Sequence, residues 1–148
     1  ERPMTRVIFD RRLRTPPAAA VLSTLAAGPV MIMTSPAAAV SDVLRAPLEA
    51  RGAQIEVVAA PTLRAAFERL AEGGIGALLL EGGSEVHGAA WDEDLVDLVS
   101  VYVCPRVIGA AGVPFLGKRA FDLRTLVDRR EEQLGPDRLI EGYVHGPR

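Results

Sequence analysis

The sequence predicts an α/β fold: a mostly parallel sheet flanked by helices, with an antiparallel C-terminal hairpin. Three observations carry this. Short apolar runs alternate with segments of helical periodicity along most of the chain, the order expected of a parallel sheet. Val30–Thr34 (VMIMT) and Ile75–Leu80 are continuous apolar runs, as strands covered by helices on both faces would be. Near the end, two strand-like runs flank Gly135-Pro136-Asp137, residues suited to a chain reversal.

In chain order, Arg6–Asp10 (RVIFD) combines β-branched and aromatic residues and ends in Arg11, Arg12 and Arg14, so it reads as a strand followed by a loop. Thr15-Pro16-Pro17 then breaks the chain. Ala18–Ala27 is Ala-rich and suits a short helix stopped by Gly28-Pro29. After the strand Val30–Thr34, Ser41–Arg51 reads as a helix with Gly52 as its stop, and Gln54–Ala59 as a short strand. The clearest helix spans Thr62 to Glu72. Leu63, Ala66, Phe67, Leu70 and Ala71 form one stripe of a 3.6-residue period. Thr62 can cap its first N–H groups, and Gly73-Gly74 suits a left-handed stop. Ile75–Leu80 is the next strand, followed by Glu81-Gly82-Gly83-Ser84 and a helical stretch to about Trp91. Leu98–Cys104 is a strand with Val99, Val101 and Val103 on one face, and Leu123–Leu134 and Arg138–Val144 form the hairpin. Neither repeats nor a linker interrupt this order, so a single domain is expected over 1–148.

Composition narrows the function classes. Seventeen basic and nineteen acidic side chains leave a formal net charge of −2, which gives no footprint for nucleic acid or an anionic membrane. Cys104 is the single cysteine, so an internal disulfide framework is excluded. A zinc deaminase site, which needs His-x-Glu and Pro-Cys-x-x-Cys, is excluded as well, and no metal site is expected. Apolar runs fall far short of the ~20 residues of a membrane span, and no signal peptide opens the chain, so a cytoplasmic location is expected. The chain starts at Glu1 and reaches a strand almost at once, which predicts that the fold lacks its N-terminal portion here.

The segment with most chemical content is Ala77-Leu-Leu-Leu-Glu-Gly-Gly-Ser-Glu-Val-His-Gly-Ala89. Gly82 and Gly83 carry no Cβ, so a turn there can be sharp and a ligand can approach the backbone closely. The first N–H groups of the following helix have no internal partner and lie at the positive end of its dipole, which suits a phosphate. The same residues also suit a plain tight turn, because a full Gly-x-Gly-x-x-Gly fingerprint is absent. Glu81, directly after three leucines, could accept hydrogen bonds from a ligand or act as an acidic partner of the helix N-terminus.

Three blocks carry a family resemblance: RVIFDRRLRTP (6–16), GIGALLLEGGSEVHGAAWDEDLVDLVSVYVCPRVIG (74–109) and DRLIEGYV (137–144). They are similar to the reductase domain of the riboflavin-pathway deaminase–reductase family. The resemblance implies a dihydrofolate-reductase-like fold and NADPH-dependent reduction of 5-amino-6-(5-phosphoribosylamino)uracil to its ribitylamino product. It implies that Gly83, Ser84, Glu85, Val86, His87, Gly88 and Ala89 cradle the cofactor's phosphates, with Gly82 enabling the turn. It places Glu81 near the substrate and Arg11 at the adenosine end of NADPH. A guanidinium also suits the 2′-phosphate that separates NADPH from NADH, whereas a solvated loop is the plainer use of the arginine cluster. The residues do not name a proton donor. Another pyrimidine, pteridine or small carbonyl substrate fits the same fold, as does a non-catalytic nucleotide-binding module. The apolar C-terminal strands and an open sheet edge predict a homodimer.

Overall fold

The structure is a computed structural model that describes residues 3–146. The chain divides into two compact units, Glu1–Gly76 and Ala77–Arg148.

In the first unit, β1 (Arg6–Phe9), β2 (Val30–Thr34) and β3 (Gln54–Val57) form a parallel sheet in the order β1-β2-β3. Ile32 of β2 lies opposite Ile8 on one side and Ile55 on the other. Four helices accompany them: α1 (Ala20–Ser23), α2 (Pro36–Ala39), α3 (Asp42–Glu49) and α4 (Leu63–Glu72). Successive strand residues point to opposite faces, and both faces of β2 are covered. Val30 and Ile32 join Leu13, Leu22, Leu48 and Ala53 in one core. Met33 joins Ala66 and Leu70 in another, with Val7, Phe9 and Met31 packed against it. This two-sided burial is why VMIMT contains no charged residue. Helix α4 is as expected: the Thr62 hydroxyl accepts a hydrogen bond from Ala65 N at 3.3 Å, and Gly74 adopts φ +83° just beyond the helix.

The second unit contains α5 (Ser84–Asp92) and a three-stranded antiparallel sheet of β4 (Leu98–Val103), β5 (Val127–Leu134) and β6 (Asp137–Tyr143), ordered β4-β6-β5. Val99, Val101 and Val103 are half-buried while Leu98, Ser100 and Tyr102 are exposed, the alternation expected of a sheet with one covered face.

Four expectations change in detail. The α/β class holds, but the strands form two three-stranded sheets rather than one. Ile75–Leu80 is not in a ladder, and Leu78 and Leu79 are 37% and 72% exposed. An apolar sequence supplies side chains for a strand, yet the strand also needs a neighbouring backbone, and none pairs with it among the described residues. Helix α2 was hidden in Ser35-Pro36. There the Ser35 hydroxyl accepts from Ala38 N and proline occupies the first turn, both standard helix-start features. The strand expected from Leu123 begins only at Val127, because the Asp122 carboxylate accepts from Arg124 N at 2.9 Å and holds Leu123–Thr125 in a 3₁₀ turn.

Candidate functional site

Helix α5 starts at Ser84, and its N-cap Gly83 has no side chain to satisfy the first turn. The carbonyl of Gly83 accepts from Val86 N at 3.0 Å and His87 N at 3.1 Å. The N–H groups of Ser84 and Glu85 make no hydrogen bond among the described residues. Two free donors at the positive end of a helix are what an anion needs. Neither Gly82 nor Gly83 has positive φ, so the turn itself does not demand glycine. A Cβ on Gly83 would meet nothing within 4 Å, and one on Gly82 only the Val86 side chain at 3.7 Å. Open space is what Gly83 provides at the start of the helix.

Glu81 is exposed and forms neither a hydrogen bond nor an ion pair among the described residues. It does not cap α5. His87 makes two contacts: Nε2 lies 3.1 Å from the carbonyl oxygen of Leu80, and Nδ1 lies 3.2 Å from that of Phe115. Both neighbours are acceptors and a neutral imidazole carries one N–H, so the ring donates to one of the two, either beside Glu81 or in the 109–122 loop.

Gly88 is buried for a different reason. Its missing Cβ makes room for the Arg119 guanidinium, which lies against the helix at that point. Arg119 grips Asp92 with two bonds, Nε to Oδ1 at 2.6 Å and Nη2 to Oδ2 at 2.5 Å, and also donates to the Leu116 carbonyl at 3.2 Å. Hydrogen bonding to Arg119 holds the Asp92 carboxyl below the usual carboxylate range. Trp91, Phe121 and Phe115 continue this clasp as two edge-to-face ring pairs, with centroids 5.1 and 5.6 Å apart. Sequence reading missed Arg119. The glycine inside a helical pattern was the available signal that something approaches closely there.

Arg11 belongs to the first unit, at the carboxyl end of β1. Its Nη1 donates to the Pro61 carbonyl at 3.1 Å, and its side chain is exposed. Its own carbonyl accepts from the Ser35 hydroxyl at 2.8 Å, which ties the end of β1 to the end of β2. Next to it, the Thr34 hydroxyl is buried without a partner. Ser35 and Thr34 were not singled out from the sequence, although a polar pair after an apolar strand marks the carboxyl end where ligands collect in α/β sheets. Among the described residues, no cluster of His, Cys, Asp and Glu could hold a metal ion, and no helix is long and apolar enough to cross a membrane.

Comparison with known proteins bears on the fold and lineage. The chain is 34% identical over 95% of its length to 2,5-diamino-6-ribosylamino-4(3H)-pyrimidinone 5′-phosphate reductase of Methanothermobacter thermautotrophicus, covering 66% of that protein. It is 31% identical to the riboflavin biosynthesis protein RibD of Chlamydia muridarum, of which it spans 34%. Among solved structures, a pyrimidine reductase-like protein from Corynebacterium diphtheriae superposes with a TM-score of 0.73 at 20% identity. That match covers 93% of this chain and 59% of the other. The chain thus spans about two thirds of one of these relatives and a third of the other. Residues 1–140 match the family described as the RibD C-terminal domain. The protein is a member of the RibD C-terminal domain family.

Proposed function

We propose that this protein catalyses NADPH-dependent reduction of a phosphoribosylamino-pyrimidine, 5-amino-6-(5-phosphoribosylamino)uracil, opening its ribosyl group to the ribityl product. The observation that carries the reading is the uncapped start of α5 behind Gly82-Gly83, in a chain whose archaeal relative is named for pyrimidinone phosphate reduction. When bound, NADPH supplies the hydride. The N–H groups of Ser84 and Glu85 donate to its pyrophosphate. Gly82 and Gly83 keep the approach clear, and His87 fixes the backbone at Leu80 through its ring. The backbone from Val86 to Ala89 continues the same helix behind those donors. The free carboxylate of Glu81 accepts from hydroxyl or amide groups of the substrate. Arg11 keeps donors in reserve for the 2′-phosphate, since only one contact, to Pro61, engages it among the described residues. Two copies associate as a homodimer.

The test is steady-state turnover with each coenzyme. NADPH is favoured over NADH, and Arg11→Ala raises the KM for NADPH roughly tenfold or more while leaving that for NADH nearly unchanged, the scale of one charge-assisted hydrogen bond. Equal use of both coenzymes, or an Arg11→Ala variant with unaltered preference, refutes the 2′-phosphate role. Coenzyme that binds but is never oxidised in the presence of the substrate refutes the reductase.

A further inference from the structure

Strand β5 lies at the edge of its sheet, paired on one side only, and all eight of its residues are exposed. Its outward N–H and C=O groups therefore form a row available to another strand. Within it, Arg129-Arg130 are followed by Glu131-Glu132, with Asp128 just upstream. Two faces can be distinguished by the ladder. Glu131 lies opposite Ile140, which is 3% exposed, so Glu131 and Gln133 share the covered face. Arg130 and Glu132 lie opposite Glu141 and Leu139 on the open face.

These charges differ in how well they are satisfied. Glu131 forms ion pairs with Arg129 and with Arg138, the latter at 3.5 Å. Arg130 and Glu132 form neither ion pair nor side-chain hydrogen bond among the described residues. They stand two apart on one face of an edge strand, opposite in sign and unpartnered.

Symmetry restricts what a second copy could do there. Two copies of β5 meeting antiparallel are related by a two-fold axis normal to the sheet, which preserves the face each side chain occupies. Directly opposed residues must share a face, so the axis must pass through a residue position, never between two. An axis at Arg130 sets that arginine against itself and Asp128 against Glu132. An axis at Glu132 sets that carboxylate against itself and leaves Arg130 opposite Leu134. An axis at Glu131 sets Arg130 of each copy opposite Glu132 of the other, twice, and the carboxylates meeting on the axis already have Arg129 and Arg138 as partners. Upstream, the bulge at Asp128, where φ is +50°, ends the regular ladder, so the pairing centres on Arg130–Glu132.

The geometry points to β5 as a homodimer interface: a second copy of this chain adds its own β5 antiparallel, centred on Glu131, and the two sheets become one of six strands. This deepens the homodimer reading above by giving it a surface and a register. Opposed charges on facing strands stabilise, and like charges destabilise, by comparable amounts. The short contact makes the association concentration-dependent, as for other small interfaces.

The experiment is analytical ultracentrifugation of the chain and three variants, with circular dichroism and thermal melting confirming that each is folded. R130E places like charges across both symmetric contacts and weakens dimerisation roughly tenfold or more, and E132R does the same. The double variant R130E/E132R restores the pairing. Mixing the two single variants also yields dimer, because each then meets the opposite sign. A dimer unaffected by either single reversal, or two single variants that do not associate when mixed, overturns the β5 register and leaves the homodimer itself standing. A monomer at every concentration overturns both and makes the charges of β5 a guard against edge pairing.

Discussion

Two glycines five residues apart stand in opposite surroundings, and substitution separates them. Gly83 faces open space at ordinary dihedrals, so Gly83→Ala is expected to leave the melting temperature nearly unchanged while weakening coenzyme binding, seen by titration calorimetry. Gly88 faces the Arg119 guanidinium, so Gly88→Ala displaces that group, breaks its two bonds to Asp92 and lowers the melting temperature. If both variants melt alike and bind alike, the cradle reading of Gly83 is wrong. Acid behaviour is equally local. Hydrogen bonds from Arg124, first its side chain and then its backbone, hold the Asp122 carboxyl at about 2 instead of 3.8. A depressed acid contributes stability that is full above its unfolded value and is lost as pH falls through the folded one. The 3₁₀ turn at Leu123–Thr125 therefore stays intact down to the region between 3.8 and about 2 and loosens across it. An NMR titration of the Asp122 carboxyl should find its midpoint there in the wild type, and higher, though still below the ordinary value, in Arg124→Ala, which keeps the backbone N–H donor.

At the scale of elements, caps and periodicity were the readable features. Thr62, the stripe from Leu63 to Ala71 and Gly73-Gly74 specified α4 almost to the residue, because each acts through neighbours within one turn. Thr62→Ala should cost about 1 kcal/mol of stability, with Thr62→Ser restoring most of it in urea unfolding. The alternation in β4 and the Gly135-Pro136 reversal were readable for the same reason. Other features depended on partners distant in sequence. Ile75–Leu80 has the composition of a buried strand, yet composition cannot state whether a second backbone lies beside it. The helix-capping serine at Ser35 was lost between a strand and a loop, since four residues of helix carry no periodicity. Within the candidate site, the run from Glu81 to Ala89 was legible as glycines and helix start, whereas the strand expected before it forms no ladder. Arg119 was not, because its partners Asp92 and Gly88 lie about thirty residues upstream and only the folded chain brings them to it.

At the scale of the molecule, burial is uneven. The first unit holds two apolar cores around β2, whereas the buried apolar residues of the second are few and scattered: Ala90, Leu116, Leu126 and Ile140. The boundary at Gly76 falls within the extended, ladderless stretch that runs into Gly82-Gly83. Proteases cut where backbone is exposed and not hydrogen-bonded. Limited digestion followed by mass spectrometry should therefore place the first cleavage between Gly76 and Gly83. A first cut within β2 or α4 would contradict this distribution of stability.

The turn after β1 has a consequence of its own. Leu13 is 3% exposed yet holds φ +49°, a backbone that leucine rarely adopts. The Asp10 carboxylate meanwhile gathers the Arg12 amide and both the amide and hydroxyl of Thr15. An apolar plug and an acidic staple thus freeze a basic loop in advance, so that, on the proposed role of Arg11, an anion arriving there would meet a receptor with little motional freedom left to surrender.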